Sequence, residues 1–362
     1  MKHKIYFMWL LPGGFMVKKS VSILQIAATY AGTVVGAGFA SGQSIMQFFT
    51  VYGTWGTVGI LISTFLFMWI GTKMMVLAHR IQAFSYQELN TYLFGSVFGK
   101  VANAATFAIL FGMTSVMLSG AGSIFEEQLG LPYQWGIVIS IVLCYLVMTR
   151  DMQGILAVNS VVVPLMLCFM LLIALQVFGD NGTAPSIGWR NTPWSDLTWL
   201  IRPFAYAALN FAFVQAVMVP LGSEVQDESA LKWGGFWGGV ALGFMLLISH
   251  WAMNSKMPEI AAFDIPMAEI IRDLGGAVHI LFLLVIYGEI FTTIIGNVFG
   301  IARQIQSLFV LPTKGLVLAI LLGSFLISQI GYTPLLSYLY PLFGYLGMIL
   351  LLFLAFKRMP GP

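Results

Sequence analysis

Apolar runs of membrane-spanning length recur from one end of the chain to the other, separated by short polar breaks. Reading by apolar length and polar breaks predicts ten spans, at approximately 21–51, 56–78, 98–122, 133–149, 154–178, 197–223, 233–254, 277–301, 313–330 and 333–356. A helix needs about 20 residues to cross the hydrocarbon core, and the runs meet that length. Strand-like alternation is absent, which argues against an outer-membrane barrel. The first run is too long for one straight span.

Composition agrees with a lipid-facing surface. Of 362 residues, 59% are hydrophobic and 9% charged, with a mean hydropathy of +0.89. A soluble domain carries about 25% charged residues, so these charges cannot cover a water-facing surface. The net charge is +3 and the basic residues are scattered, which leaves no nucleic-acid footprint. Cys144 and Cys168 lie inside apolar runs and read as small buried hydrophobes. His3, His79, His250 and His279 make no metal spacing, and no nucleophile–base pair is legible, so an enzyme is not expected.

Charge placement sets the expected orientation. With the N-terminus in the cytoplasm, 13 of the 17 Lys and Arg residues fall in inside segments; only Arg190, Arg202, Lys256 and Arg272 fall outside. Both termini are then cytoplasmic, as an even number of spans requires, and the protein belongs in a bacterial inner (plasma) membrane. The expected organisation is a cytoplasmic tail at 1–20, a five-helix unit at 21–178, an extracytoplasmic connection at 179–196, a second five-helix unit at 197–356 and a tail at 357–362. Residues 1–15 hold a short apolar run without a cleavage site, and Met16-Val17-Lys18-Lys19-Ser20 reads as a natural start; 1–15 is then an optional extension or a start-site artefact. The outside segments 179–196 and 255–276, with Pro193, Trp194, Pro258 and Pro266, read either as short helices over an outer vestibule or as plain connections.

Five spans on either side of 179–196 make two halves of inverted orientation. Tyr30-Ala31-Gly32 in span 1 has a counterpart in Tyr206-Ala207-Ala208 of span 6. Each is followed by a span opening on Trp and Gly, Trp55-Gly56 and Trp233-Gly234. An inverted repeat predicts that the first span of each half is broken near the midplane, with the binding site at the breaks. In span 1, Gly32, Gly36, Gly38 and Gly42 fall within eleven residues, and each weakens a helix by about 1 kcal/mol relative to alanine. An unwound segment at Gly36–Gly38 is expected, which survives at membrane depth only against a cavity or inside protein. Gly32 and Gly36 are also spaced for close helix packing. In span 6, Pro203 and Pro220 flank Tyr206, Asn210 and Gln215, and a second break is expected near Asn210–Gln215; otherwise Asn210 is an interhelical hydrogen-bonding residue.

One acidic residue falls at the centre of a span, Glu289. An ionisable group there is a functional candidate by default. Glu289, Thr292, Thr293, Gly296, Asn297 and Gly300 form one stripe on a helix face. Oxygens of Glu289, Thr292 and Thr293, with carbonyls freed in span 1, suit a sodium ion. Buried without a cation, the carboxyl favours its neutral form and suits a proton as coupling ion. The alternative is a structural, hydrogen-bonded carboxyl. Half-helix ends at two breaks would present N–H groups to a carboxylate and carbonyls to an amine, which points to a zwitterion. Thr114, Ser115 and Ser119 are weaker cavity candidates, and Asn159 with Pro164 a candidate bend.

The run from Ala28 to Gln43, Ala-Thr-Tyr-Ala-Gly-Thr-Val-Val-Gly-Ala-Gly-Phe-Ala-Ser-Gly-Gln, resembles the YkvI family of bacterial membrane proteins, over about residues 17–358. Through it the chain is similar to the amino acid–polyamine–organocation superfamily, whose members share a five-plus-five inverted repeat. The resemblance implies an all-α membrane protein of ten helices with helices 1 and 6 broken, and a site between spans 1, 3, 6 and 8. It makes Gly36, Ala37, Gly38, Ser41, Thr114, Tyr206 and Asn210 the substrate-binding candidates. Glu289, Thr292, Thr293 and Asn297 become the ion-coupling ones. Thr292-Thr293 match the neighbouring hydroxyls of sodium-coupled members; Glu289, where a small residue is usual, departs from that pattern and favours a proton. The expected function is sodium- or proton-coupled transport of a small amine-bearing or zwitterionic solute, without other cofactors. The rival reading is a nutrient sensor on the same fold, working with a further membrane subunit.

Overall fold

The computed structural model describes residues 17–148, 151–179, 198–272, 274–309 and 311–361; for residues 17–22, 37, 151–160, 177–179 and 307 it describes the backbone alone. The expectations on residues 1–15, on most of 179–196 and on the Asn159 side chain lie outside the described residues. All regular structure among the described residues is helical. Span 1 is α1 (Val17–Val34), α2 (Ala37–Ala40) and α3 (Gln43–Phe48). There follow α4 (Thr54–Ile81), α5 (Tyr86–Ser123), α6 (Tyr133–Val147) and α7 (Asp151–Gly179). The second half holds α8 (Thr198–Glu224), α9 (Glu228–Ser255), the short α10 (Pro266–Arg272), α11 (Gly276–Leu308), α12 (Thr313–Ser328) and α13 (Tyr332–Phe356). Six of these are long and apolar enough to cross a membrane, and the apolar stretches Ile23–Val34, Tyr133–Val147, Val161–Gln176 and Thr313–Ser328 are shorter.

The packing repeats itself. α1 lies against α9 as α8 lies against α4; α7 lies against α1 as α13 lies against α8; α5 packs on α13 as α11 packs on α7. Each pair of contacts exchanges one element of the first half for its counterpart in the second, which is the pattern of an inverted repeat. α9 makes its close approaches with glycine. Gly235, Gly239 and Gly243, one turn apart, meet Thr72, Met68 and Thr64 of α4, while Gly234 and Gly238 meet Ile26 and Tyr30 of α1. Between membrane helices, where no water is expelled, such small-residue contacts carry the association.

Two local distortions shape the first half. A π-turn at Phe67–Gly71 in α4 frees the Phe67 carbonyl from the regular ladder, and Tyr30 Oη donates to it at 2.9 Å. In α5 the chain turns at Gly95, whose φ of 80° a side chain rarely adopts, so that Tyr86–Phe94 folds back beside Gly99–Thr106. Asn90 Nδ2 closes that bend by donating to Asn103 Oδ1 at 3.0 Å and Thr106 Oγ1 at 3.3 Å.

The predicted cytoplasmic loops converge at one end of the bundle. Arg80, at the end of α4, makes a bidentate bond to Glu228 at the start of α9, both contacts at 2.8 Å, and donates to the carbonyl of Pro360. At the other end, residues 255–276 are helical in part, with a 3-10 turn at Glu259–Ala262 before α10.

Two expectations are corrected here. α8 is one unbroken helix from Thr198 to Glu224, so span 6 has no break near Asn210–Gln215. No glycine interrupts its core, and the side chains blamed for the break serve the helix instead: Asn210 Nδ2 donates to Tyr206 O at 2.8 Å and Gln215 Nε2 to Ala212 O at 2.9 Å. Pro203 and Pro220 lie near its ends, where few ladder bonds are lost. Cys144 is buried as expected, but Cys168 is exposed, on the outward face of α7, where an apolar environment in lipid suits it equally.

Candidate functional site at the break in span 1

Span 1 breaks where its glycines predict. The N–H of Gly36 bonds to Val34 O and that of Phe39 to Gly36 O, at 2.9 and 3.0 Å. The carbonyls of Gly32 and Val35, which those N–H groups would occupy in a continuous helix, are thereby released from the ladder. A second interruption follows at Ser41-Gly42, where Gly42 has a φ of 90°. This is irregular backbone at depth, held inside protein: Ala31, Val34, Val35, Phe39 and Ala40 are all buried.

α11 brings its polar stripe to this break. A Cβ on Gly36 would stand 3.2 Å from Thr293 Oγ1 and 3.3 Å from Met117 Cε, so span 1, α5 and α11 meet closely here and a side chain would press both neighbours by a few tenths of an ångström. Thr292 and Thr293 both donate to the Glu289 main-chain oxygen, at 2.9 and 3.0 Å. Their hydroxyl protons are spent within the helix, and their lone pairs remain available to a ligand. Glu289 is fully buried, and neither carboxyl oxygen has a hydrogen-bond partner among the described residues; Asn297 Nδ2 is likewise buried and unpartnered. Buried polar groups left unpaired are rare and costly, and they concentrate where a protein works on something. Among the described residues no group of three or more His, Cys, Asp or Glu could hold a metal ion.

Beside the break lies a small pocket with room for about one water. Gly36, Tyr206 and Asn210, three of the expected substrate residues, line it together with Phe39, Ser44, Met113, Phe213 and Tyr340. The other four fall elsewhere. Gly38 lies beneath the Tyr340 ring, where any side chain would overlap it. Ser41 Oγ is 2.8 Å from Tyr332 Oη. Thr114 does not line the pocket: its hydroxyl turns back to Leu110 O at 2.8 Å, and Met113 takes its place on the wall. Ser115 likewise bonds within its own helix, and Ser119 pairs with Tyr133. The Ala37 side chain lies outside the described residues. Sequence reasoning missed Tyr332 and Tyr340, two of four tyrosines in the last span, which no local pattern sets apart from Tyr338 and Tyr345.

The segment 255–276 covers the site from the predicted outer end. Met267 N donates to Ser41 O at 2.9 Å, and Gln43 Nε2 donates to Phe263 O at 2.6 Å. Asp264 accepts from Ser123 at 3.1 Å and from Thr333, while the Glu127 carboxylate accepts the N–H groups of Asp264 and Ile265 at 3.2 and 3.1 Å. The cover is thus tied to span 1, α5 and α13 at once.

Comparison with other proteins places this geometry. The chain is 41% identical over 347 residues to the uncharacterized membrane protein YkvI of Bacillus subtilis, covering 95% of this chain and 99% of that protein. The chain belongs to the YkvI family. A second Bacillus subtilis protein, YyaD, is 25% identical over 323 residues, with 88% of this chain and 92% of that protein covered. No protein-family profile matches. Among solved structures, an Eremococcus coleocola manganese transporter in complex with an aromatic bis-isothiourea compound superposes with a TM-score of 0.57 at 13% identity, over 95% of this chain and 78% of that one. The nucleobase-cation-symport transporter Mhp1 in its inward-facing conformation superposes with a TM-score of 0.55 at 14% identity, over 90% and 73%. At such identities these likenesses show a shared fold. This YkvI-family member is a multi-pass, all-α membrane protein with the fold of those transporters.

Proposed function

We propose that this YkvI-family protein is a secondary active transporter working by alternating access, coupled to sodium or protons, for a small amine-bearing or zwitterionic solute of the amino-acid kind. Its ten spans form two inverted five-helix repeats, 21–178 and 197–356, joined outside by 179–196. The tails 1–20 and 357–362 are cytoplasmic, and the protein sits in the bacterial plasma membrane.

One observation carries the reading: an unpartnered, fully buried carboxyl, Glu289, one turn from the threonine that touches the break in span 1. The coupling ion binds there. The lone pairs of Thr292 and Thr293 and the carbonyls released at Gly32 and Val35 supply oxygens to a sodium ion, with Glu289 as counter-charge; alternatively Glu289 itself carries the proton. Asn297 extends the same stripe.

The solute binds across the break, against Gly36, Ala37, Gly38, Ser41, Tyr206 and Asn210. The rings of Phe39, Tyr206, Phe213 and Tyr340 suit an ammonium group. The N–H groups where span 1 restarts suit a carboxylate. With span 6 continuous, Tyr206 and Asn210 do with side chains what a second break would do with backbone. Fold likeness to a manganese transporter and to a nucleobase-cation symporter supports transport in general, while the absence of a three-ligand metal group among the described residues favours an organic solute over a metal ion.

The test is uptake into proteoliposomes of radiolabelled amino acids and amines under an imposed sodium or pH gradient. Saturable uptake that collapses with one gradient supports the reading and names the ion. Binding of a solute with no uptake under either gradient overturns transport in favour of a sensor.

A further inference from the structure

The cover over the site is fastened by bonds of two kinds. Towards span 1 they are neutral: Met267 N to Ser41 O, and Gln43 Nε2 to Phe263 O. Towards α5 they run through carboxyls. Glu127 stands in a π-turn, Ile124–Gln128, that follows α5, and its two oxygens accept the N–H groups of Asp264 and Ile265 at 3.2 and 3.1 Å. Asp264 answers from the cover, accepting from Ser123 Oγ of α5 at 3.1 Å and from Thr333 of α13. The seam between cover and α5 therefore carries a carboxyl on each side. Ile265, Met267 and Ala268, which follow Asp264, are fully buried, so the cover lifts only when these bonds part.

Two carboxyls share such a seam best when one of them is neutral, because like charges repel and burial disfavours the ionised form. Glu127 lies beyond residues 98–122, the part of α5 predicted to cross the membrane. Its partial burial, and then the Asp264 charge, push its carboxyl above the ordinary range, against the pull of the two N–H groups. The other groups nearby do not reverse this. Glu269 of α10 adds a further negative charge, and Arg272 is held by Glu269 at 2.9 Å. Glu126, the preceding residue, is exposed. Tyr133 of α6 and Tyr332 of α13 stand near Asp264, and His279 of α11 bonds to Gln128 Oε1 at 3.0 Å.

We propose that Glu127 is an external proton switch on the outer gate: while its carboxyl is neutral the cover stays docked on α5, and once it is ionised the cover is released. A carboxyl that binds its proton more tightly docked than released stabilises docking fully below its ordinary value of 4.5, and that stabilisation is lost as pH rises through the docked-state value. Acid outside closes the site and alkali opens it. The switch rests on the proposed orientation and on a solute site beneath the cover, but not on which ion is coupled.

The test is the distance between spin labels at Ala262→Cys, on the exposed turn before Asp264, and Lys314→Cys, exposed at the start of α12, in a Cys144→Ala/Cys168→Ala background. The full chain in nanodiscs without solute is measured by pulsed electron paramagnetic resonance at about pH 5 and about pH 8. One distance is expected to dominate at the acid pH, and a second, displaced one is expected to grow at the alkaline pH. Glu127→Gln, neutral at every pH and of the same shape, is expected to keep the acid-pH distance throughout. Asp264→Asn, which removes the facing charge, is expected to keep the switch and move its midpoint to lower pH. A wild-type distance that does not change with pH, a change that persists in Glu127→Gln, or an unmoved midpoint in Asp264→Asn overturns the proposal. No solute or gradient is present, so failure of the switch is told apart from failure of uptake.

Discussion

Replacing Glu289 by methionine makes the sharpest prediction about the coupling site. The carboxyl is fully buried, and neither oxygen has a partner among the described residues. Each orphaned polar atom forfeits its water bonds, at a cost of about 1–3 kcal/mol for a neutral group. An ionised carboxylate would cost far more, so a resting protein without a bound cation holds this group neutral. Methionine has a similar length and volume and an adaptable, unbranched side chain, so it leaves no cavity and removes the unpaired oxygens. The expected net effect, measured without solute in potassium buffer, is a gain of about 1–3 kcal/mol. Glu289→Gln keeps an unpaired amide and is expected to be neutral within about 1 kcal/mol. Both variants are expected to lose gradient-driven uptake. The assay is denaturant unfolding of the purified protein beside proteoliposome uptake. A methionine variant that is destabilised by more than about 1 kcal/mol would mean that the carboxyl has a partner, and a methionine variant that still couples uptake to an ion gradient would mean that Glu289 is structural; either result sinks the argument.

Other changes probe the remaining parts. Gly38→Ala drives a methyl into the Tyr340 ring and is expected to cost about 1–3 kcal/mol and most uptake; Tyr340→Leu in the same chain is expected to restore stability but not uptake, as read by unfolding and transport. Tyr332→Phe removes the 2.8 Å bond to Ser41, beside the Ser41 carbonyl that holds Met267. It is expected to cost about 0.5–1.5 kcal/mol and to speed thiol labelling of a cysteine placed at Met267. Gly239→Leu forces α9 from α4 at Met68 and is expected to abolish recovery of monodisperse protein, whereas Gly275→Ala, with nothing near it but a positive φ, is expected to cost about 1 kcal/mol.

Much of the fold was legible because membrane spans are written in apolar length. The helices begin and end within a few residues of the predicted spans, apart from α5 and α11, which run past them at polar ends such as Tyr86 and Arg303. The break in span 1 was legible because glycine is the local cause: four glycines fail to hold a helix, and the bonds of Gly36 and Phe39 turn aside there. Span 6 misled because Pro203 and Pro220 fall within two turns of the ends of α8, and the Asn210 and Gln215 amides turn back onto carbonyls of their own helix instead of interrupting it. Of the proposed site, the polar stripe of Glu289 and its threonines is legible as one helix face. The contributions of Tyr332 and Tyr340 were not, because they depend on α13 crossing beside α3 and α8, a tertiary fact without local trace. Thr114 failed for a simpler reason: a hydroxyl in a helix can spend its proton on its own backbone.

The central claim is that an ion and a small zwitterionic or amine solute meet at the span 1 break through Glu289. Thermal stability of the purified protein, screened against amino acids, amines and small carboxylates in sodium or potassium at about pH 5.5 and 7.5, tests it most directly beside Glu289→Gln. A ligand at 100 times its dissociation constant adds about 2.7 kcal/mol. The account predicts a solute-dependent shift that follows sodium or pH in the wild type and loses that dependence in Glu289→Gln. A solute that stabilises both forms equally, whatever the sodium concentration and pH, would contradict it.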